Sequence, residues 1–381
     1  MQTLSGYAFN GAGGLELVSK DIRGLERGEV LLFNLTIGLN PVDYKLLGFF
    51  GVEQKGQILG VDGVGVVLES RHERVKRGQI YAYHANLSLN GSFATHSIIS
   101  GDMCFPLSQI PAISELERAI MANLACENAT SKEILQSIKR GLDSIKNADL
   151  AREYLTLAAS LPCPALTAMQ CLAKVPNLSG REVAIISAGG SVGRILSLLC
   201  VKSHAKVLAV CDRRHHGDLL GGGVSRCLDY DEFLSQNDCE SKLSESWRVN
   251  ENKHLDEVVK FYTIFDLQER IDSEILLAKL GYYGHLVSVV RRVESNPAPA
   301  FSHCPSLHEI ALGAIYGYGV ERDFRELQGQ WEEIVSLTLD DSFRAILPPL
   351  EVVEFHQIPS ALESLKKSNS GKKFVAWNAG C

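Results

Sequence analysis

The sequence predicts an α/β protein that has a β-rich domain, a doubly wound parallel sheet and a helical insertion. Three observations lead to this prediction: the chain is 381 residues long, strand-like segments fill roughly its first hundred residues, and strand and helix patterns alternate after residue 161. A chain of this length exceeds one ordinary compact core. We therefore expect two domains.

The composition is that of a globular protein that buries a core, with 45% hydrophobic and 22% charged residues and a mean hydropathy of +0.02. A formal net charge of -7 gives no clustered basic surface for phosphates, so no nucleic-acid partner is expected. The chain has neither a secretory signal pattern nor a run of about 18 apolar residues, so no membrane association is expected. Ten cysteines without paired spacing predict reduced thiols. These features together predict a cytoplasmic protein.

Apolar residues in the segments 29–39 and 58–68 predict two strands of the β-rich domain, the second punctuated by glycines. The segment 111–151 repeats its apolar residues at helical spacing and predicts two inserted helices. The segment 352–377 returns to a strand–helix–strand pattern.

A βαβ unit follows residue 161, because a short apolar strand, an amphipathic helix and a second strand occur in succession. The predicted segments are strand 182–187, helix 192–203, strand 205–211, strand 254–265, helix 275–280 and strand 285–290. The expected domains are 1–160 with the insertion at about 111–151, then 161–335, then 336–381 as a return to the first domain.

The segment 187–193 (SAGGSVG) lies between the first strand and the helix of the βαβ unit. It matches a degraded G-x-G-x-x-G pattern in which Ala188 occupies the first glycine position. Glycines in this context let the backbone approach a pyrophosphate, and the helix N-terminus offers N–H groups to the anion. A tight structural turn is the alternative interpretation. The residues predicted to hold a dinucleotide are Gly189, Gly190, Ser191, Val192 and Gly193.

The residues Asp212, Arg213 and Arg214 follow the second strand, about twenty positions after the glycines. A carboxylate here can accept hydrogen bonds from the ribose of NAD, whereas guanidinium groups pair with the 2′-phosphate of NADP. The two arginines favour NADP. A solvated loop that contacts no ligand is the alternative.

Several motifs, in this order, resemble the zinc-independent quinone oxidoreductases of the medium-chain dehydrogenase/reductase superfamily. The resemblance covers most of the chain and implies a GroES-like catalytic domain joined to a Rossmann domain. The motifs are 37–44 (IGLNPVDY), 59–67 (LGVDGVGVV), 91–94 (GSFA), 161–168 (LPCPALTA), 228–230 (LDY), 355–362 (FHQIPSAL) and 371–372 (GK).

Zinc alcohol dehydrogenases of the same superfamily ligate metal through a Cys where Asn40 stands and a His where Val61 stands. Neither ligand is present, and the cysteines lack the C-x-x-C spacing of a structural zinc lobe. The cluster of His303, Cys304 and His308 is interpreted as a loop or surface group. We therefore predict no zinc.

The resemblance implies that NADPH, bound in an interdomain cleft, reduces a quinone or an α,β-unsaturated carbonyl. Asn40 would donate a hydrogen bond to the substrate oxygen, and Tyr44 would line the pocket or supply the proton. A turn residue and a packed aromatic are the alternatives for these two positions. Thr167 would contact the nicotinamide end of the cofactor, and Lys372 or Lys373 would approach the cofactor.

Two departures from the family leave another function open. The helical insertion is one, and the poor fit of 231–266 is the other. They motivate a dinucleotide-binding redox sensor, or a structural or RNA-interacting protein with little turnover. A zinc alcohol dehydrogenase is a third reading that bound metal would establish. The resemblance also implies a homodimer, formed through an edge near 310–315.

Overall fold

The computed structural model describes residues 3–123, 131–235, 260–293, 298, 301–367 and 373–378. The chain divides into two compact units, and it passes from one unit to the other more than once along the sequence. Unit 1 comprises Met1–Leu166, Gly313–Leu339 and Pro349–Cys381, and unit 2 comprises Thr167–Leu312 and Asp340–Pro348. By this division the stretch 313–335, assigned from the sequence to the second domain, lies in unit 1.

The strands are short and follow the apolar segments of the sequence. They are β1 Thr3–Phe9, β2 Leu15–Asp21, β3 Glu29–Gly38, β4 Asp62–Ser70, β5 Ile80–His84, β6 His96–Ser100, β7 Cys104–Pro106, β8 Glu182–Ile186, β9 Lys206–Val210, β10 Arg226–Leu228, β11 Phe261–Asp266, β12 Leu280–Ser288, β13 Ser306–Glu309, β14 Leu350–Glu354 and β15 Lys373–Trp377.

The α-helices alternate with the strands in unit 2 and cluster in the insertion of unit 1. They are α1 Pro41–Phe49, α2 Pro111–Asn123, α3 Ser131–Ser144, α4 Ala148–Ala159, α5 Pro162–Ala173, α6 Ser191–Lys202, α7 His216–Gly221, α8 Tyr230–Ser235, α9 Ser273–Ala278, α10 Ile315–Tyr318, α11 Glu321–Thr338, α12 Asp341–Ile346 and α13 Ile358–Lys367.

Unit 1 is built on a mixed sheet with the strand order β14-β15-β3-β4-β5-β7, in which β6 also pairs with β3. Every residue of β3 is buried, which explains why this strand is an almost unbroken apolar run in the sequence. The strands β1 and β2 form a separate antiparallel pair. The β-rich domain is therefore confirmed.

The segment 111–151 contains the two predicted helices, α2 and α3, and a further helix begins near its end. The extra helix is α4, which packs on β3 and β4 and buries Leu155 and Leu157. Its last residue, Ala159, lies so close to Gly38 of β3 that a Cβ at Gly38 would collide with the carbonyl of Ala159. The helix α4 therefore forms part of the core of unit 1.

Unit 2 contains a parallel sheet with the strand order β10-β9-β8-β11-β12-β13. The direction of winding reverses between β8 and β11, and ligands of such sheets bind at the carboxyl ends of the strands at this reversal. The predicted strand 254–265 is described only as β11, because 254–259 lie outside the described residues. The doubly wound sheet is confirmed.

The first turn of α1 contains a carboxyl group in an unusual environment. The Oδ2 atom of Asp43 accepts the backbone N–H of Asn40 at 2.7 Å, whereas its Oδ1 atom is buried without a hydrogen-bond partner in the described residues. Asp43 is 0% exposed. Loss of hydration raises the pKa of Asp43 to about 8, and the nearby carboxylate of Asp62 raises it further against the opposing backbone hydrogen bond and Lys373.

This environment predicts that Asp43→Asn stabilises unit 1 and that this stabilisation increases as the pH rises. Between about pH 4 and pH 8 the folded state keeps a proton on Asp43 that the unfolded state has lost, so the wild-type free energy of unfolding falls with pH over this window. The amide keeps the oxygen that accepts from Asn40. We expect the stabilisation by Asp43→Asn to be larger at pH 8 than at pH 5 by at least about 1 kcal/mol.

Urea denaturation of both proteins at the two pH values measures this difference. The exposed Asp143 of α3 provides the control, because Asp143→Asn removes an equal charge from a solvated position. An equal gain for Asp43→Asn at both pH values would contradict the burial of a protonated carboxyl.

Candidate functional site

The glycine loop, residues 187–190, connects the end of β8 to the start of α6. It lies at the carboxyl end of β8, where the winding of the sheet reverses. Gly190 is the N-cap residue of α6. The first N–H groups of a helix have no acceptor within the helix, so this loop offers donors and the positive end of the helix dipole to an anion.

The loop glycines serve different purposes. A Cβ at Gly193 would lie 2.6 Å from both the Cα of Ala188 and the carbonyl oxygen of Ser187, so glycine is required for the close packing of α6 on the loop. A Cβ at Gly189 would collide with the ring of His215. A Cβ at Gly190 would come no nearer than 3.7 Å to its neighbour, so this position faces open space.

The left-handed position of the turn falls on Ser187, which has φ = 68°. Its N–H donates to the carbonyl of Val210 at 2.8 Å, and the N–H of Ala188 donates to the same oxygen at 3.2 Å. These bonds connect the loop to the end of β9. They explain how the turn forms although Ala188 replaces the first glycine of the pattern. Ser191 and Val192 are half-buried at the start of α6.

The guanidinium of Arg194 lies beneath the glycine loop and is 1% exposed. Its Nε donates to the carbonyl of Gly189 at 2.9 Å, one Nη donates to the carbonyl of Ile346 at 2.8 Å, and the other contacts His215 Nδ1 and Asp218. Arginine stays charged in proteins, so a fixed cation adds to the positive potential of the loop. Arg194 was not predicted from the sequence, although a basic residue within the apolar stretch after Gly193 is an available signal.

The three predicted cofactor-selecting residues after β9 differ in their partners. Arg213 donates to Asp229 at 2.7 Å and to Glu232 at 2.8 Å. Arg214 lies 3.3 Å from a carboxylate oxygen of Asp212. Arg213 is thus engaged by two acidic side chains, while Arg214 remains beside Asp212.

A further cation near Asp212 was not predicted from the sequence. Arg270 lies in the loop after β11, 3.8 Å from the other carboxylate oxygen of Asp212, and its guanidinium stacks over the ring of Tyr230 at 4.6 Å. The two arginines, Arg214 and Arg270, therefore flank one carboxylate at the carboxyl ends of β9 and β11. Each of these three charged side chains is about half exposed.

Two arginines contact the ring of His215, and Arg214 is the more weakly held of the two. Arg194 contacts Nδ1 of His215 at 2.9 Å, and Arg214 contacts Nε2 at 3.2 Å. A neutral imidazole has one lone pair, so only one of these arginines can donate to it. Arg194 is fixed by two carbonyls, so Nδ1 is the acceptor. Burial, and then the two arginines, lower the pKa of His215 against the opposing Asp212 and Asp218, which favours the neutral ring.

In unit 1, the side chain of Asn40 lies at the start of α1 and is 2% exposed. Its Nδ2 donates to Asp62 at 2.8 Å, and its Oδ1 accepts from the ammonium of Lys373 at 2.9 Å. Lysine only donates and a carboxylate only accepts, so the orientation of the amide is fixed. One of the two Nδ2 hydrogens has no hydrogen-bond partner within the described part of the chain.

The carboxylate of Asp62 is 0% exposed and accepts hydrogen bonds from several segments. Besides Asn40, the donors are the backbone N–H of Cys163, 3.0 Å from both oxygens, and Nδ1 of His84 at 3.0 Å. Lys373 also donates to the carbonyl of Ser160. Loss of hydration lowers the pKa of Lys373, while Asp62 opposes this shift. We call Asn40, Asp43, Asp62, His84 and Lys373 the polar cluster of unit 1.

The remaining predicted residues have less defined surroundings. Tyr44 is partly buried against the apolar core of unit 1, and loss of hydration raises its pKa. Thr167 is buried in α5 at the start of unit 2. Lys372 lies outside the described residues. His308 contacts Nδ1 of His285 at 3.0 Å.

The side chains at positions 40 and 61 do not fit a zinc ion, because Val61 has no side-chain donor atom and the Asn40 amide is engaged on both sides. Across the described residues, no three His, Cys, Asp or Glu side chains come together as a metal site.

In the same part of the chain, no single helix is long and apolar enough to cross a membrane, and the bent pair α4 and α5 meets that test by length and composition alone.

No family model and no curated protein matches the chain. Solved structures do match it. The quinone oxidoreductase from Coxiella burnetii has 17% identity and a TM-score of 0.66, with 99% of each chain covered. The JamJ enoyl reductase has 15% identity and a TM-score of 0.69, covering 99% of this chain and 100% of the other. The yhdH oxidoreductase from Salmonella enterica in complex with NADP has 18% identity and a TM-score of 0.63, covering 98% and 99%.

These likenesses extend over nearly the whole chain at low identity, and they agree with the sheet orders of both units. The predicted combination of a GroES-like domain and a Rossmann domain is therefore confirmed. The chain has the fold of quinone oxidoreductases and of the alcohol dehydrogenase superfamily.

Proposed function

We propose that this protein is a zinc-independent, NADPH-dependent reductase of quinones or α,β-unsaturated carbonyls. The observation that carries the proposal is the glycine loop at the winding reversal of the unit 2 sheet, where Gly190 faces open space at the start of α6. Solved structures of the same fold named as a quinone oxidoreductase, an enoyl reductase and an NADP complex support it.

The preference for NADPH rests on the charges after β9 and β11. Arg214 and Arg270 flank Asp212, and a 2′-phosphate can replace this carboxylate as their partner. Arg214 competes with the fixed Arg194 for His215, so it is free to turn toward an added phosphate. In NAD the ribose has no phosphate at this position, and the two cations gain nothing.

The proposed substrate class is supported by the side chains of Asn40 and Val61, which are not the zinc ligands of alcohol dehydrogenases. Reduction of a simple ketone needs strong stabilisation of an alkoxide, whereas a conjugated acceptor spreads the charge and needs only hydrogen bonds and positioning. The nicotinamide supplies hydride when the cofactor is bound. The remaining Nδ2 hydrogen of Asn40 is proposed to donate to the acceptor oxygen, and Tyr44 to line the acceptor pocket.

The proposed function is tested by fluorescence titration with NADPH and NADH, followed by absorbance at the NADPH band after addition of 1,4-benzoquinone or a simple enone. Binding of NADPH with acceptor-dependent oxidation supports the proposal. Binding without oxidation by any acceptor supports the dinucleotide-binding sensor instead, and absence of binding contradicts the role of the glycine loop.

The glycine loop predicts that Gly190→Ala weakens NADPH binding without affecting folding. The backbone at Gly190 has φ = -80° and ψ = 172°, which alanine adopts without strain, and the added Cβ has room. We expect an unchanged thermal midpoint and at least about tenfold weaker NADPH binding, since the methyl group would stand where the pyrophosphate approaches. Gly217→Ala, at another open glycine of unit 2, is the control that should bind normally.

The arginines predict a selective loss of affinity for the phosphorylated cofactor. Arg214→Gln and Arg270→Gln should each weaken NADPH binding by about tenfold and leave NADH binding within about twofold, because each removes one charge-assisted contact to phosphate. Arg213→Gln is the matched comparison, since Asp229 and Glu232 already engage that side chain. Equal losses for both cofactors would refute the assignment to the 2′-phosphate.

A further inference from the structure

The polar cluster contains a pair of side chains with the geometry of a proton-transfer site. Asp62 is the first residue of β4, and His84 is the last residue of β5. The two residues are direct partners in the antiparallel register, so their side chains project from the same face of the sheet. The distance from His84 Nδ1 to Asp62 Oδ1 is 3.0 Å.

The partners of Asp62 determine which ring nitrogen carries the proton. The carboxylate accepts from Asn40 and from the backbone of Cys163, so it acts as an acceptor toward His84 as well. Nδ1 must therefore hold a hydrogen, and in the neutral ring Nε2 holds the lone pair. Within the described residues, Nε2 has no hydrogen-bond partner.

Tyr316 of α10 holds the imidazole from another side. Its ring is nearly parallel to the imidazole, with an interplanar angle of 11° and centroids 6.4 Å apart, and its hydroxyl donates to the carbonyl of His84. The ring is thus fixed at the Nδ1 edge and on one face. A carboxylate that orients an imidazole and leaves Nε2 for chemistry is the arrangement found in general acid–base catalysis.

Several charged and polar groups surround His84 and its partner. The groups that face it or its partner are Asp62 on β4, Asp43 on α1, Lys373 on β15, Cys163 on α5 and Tyr316 on α10. With Asp43 protonated, Asp62 is the one charged carboxylate beside Lys373 among the described residues. Protonation of His84 adds a second cation to this buried group, and transfer of that proton to a substrate restores neutrality.

We propose that His84 is the catalytic proton donor of the reduction and that Asp62 is its positioning residue. This inference rests on the proposed function and deepens it. Hydride addition at the β-carbon of an enone moves the C=C electron pair onto the oxygen and leaves an enolate, while NADPH becomes NADP⁺. The Nε2–H proton of His84 then forms a bond to the enolate, its N–H electron pair stays on Nε2, and water returns a proton to the ring.

Tyr44 is the donor that the sequence suggested, and its surroundings make it the weaker candidate. Loss of hydration raises the pKa of Tyr44 above that of an ordinary phenol, which makes it a poorer acid at neutral pH. Removal of the donor by mutation of His84 should therefore lower kcat by about 100-fold or more, a larger loss than Tyr44→Phe causes.

The decisive variant is His84→Asn, because the amide nitrogen of asparagine can occupy the position of Nδ1 and keep the bond to Asp62. We expect kcat for NADPH oxidation by an enone to fall by about 100-fold or more while the NADPH dissociation constant and thermal midpoint stay unchanged. His356→Asn, at an exposed histidine of unit 1, is the matched control. If the asparagine variant folds poorly, His84→Ala with added imidazole replaces it, and partial recovery of the rate is expected.

The pH profile distinguishes a proton donor from a structural side chain. The wild-type kcat should fall as the pH rises, because the protonated ring is the active form, and this fall should disappear in His84→Asn. If the wild-type protein turns over and His84→Asn stays within about threefold of its rate, the role of His84 is overturned and the proposed function still stands. A wild-type protein that binds NADPH but reduces no acceptor would overturn the proposed function and the role of His84 together.

Discussion

The buried carboxylate of Asp62 determines how unit 1 is assembled. An unpaired charge in the interior is costly, so Asp62 requires donors, and it obtains them from Asn40, His84 and the backbone of Cys163. Lys373 neutralises it through Asn40. These residues come from widely separated parts of the sequence. The interaction therefore fixes the ends of β4 and β5 against α1, α5 and β15.

Arg194 has a comparable role in unit 2. Its buried guanidinium binds carbonyl oxygens from two segments, the glycine loop and α12, and positions His215 beside Gly189. In each unit, a buried charged side chain hydrogen-bonds to backbone groups next to the residues of the proposed function. Such groups constrain geometry more than they add stability, because the cost of removing the charge from water offsets much of the attraction.

The sequence was informative where one local pattern determines one local structure. The glycine loop was predicted between a strand and a helix. At Gly193 the backbone packs closely on Ala188, as the pattern requires. The helical spacing of the insertion was also recognised. The helix α4 was not recognised, because its buried residues are followed by the motif 161–168 without a break in the sequence.

Residues brought together by strand register could not be predicted from the sequence alone. His84 and Asp62 are 22 positions apart, and only the pairing of β4 with β5 makes them neighbours. Arg270 reaches Asp212 because β11 and β9 lie on either side of β8. Neither the residue type of Asp62 nor its position in the sequence indicates how many donors it has.

The position of Lys373 has a consequence for biosynthesis. Ribosomes extend a chain from its N-terminus, so Asn40, Asp62 and His84 are made long before β15. Until Lys373 emerges, the carboxylate lacks its balancing cation. Unit 2 ends at Pro348 and has no such requirement. Unit 2 can therefore fold before β15 is made, whereas unit 1 must await β15.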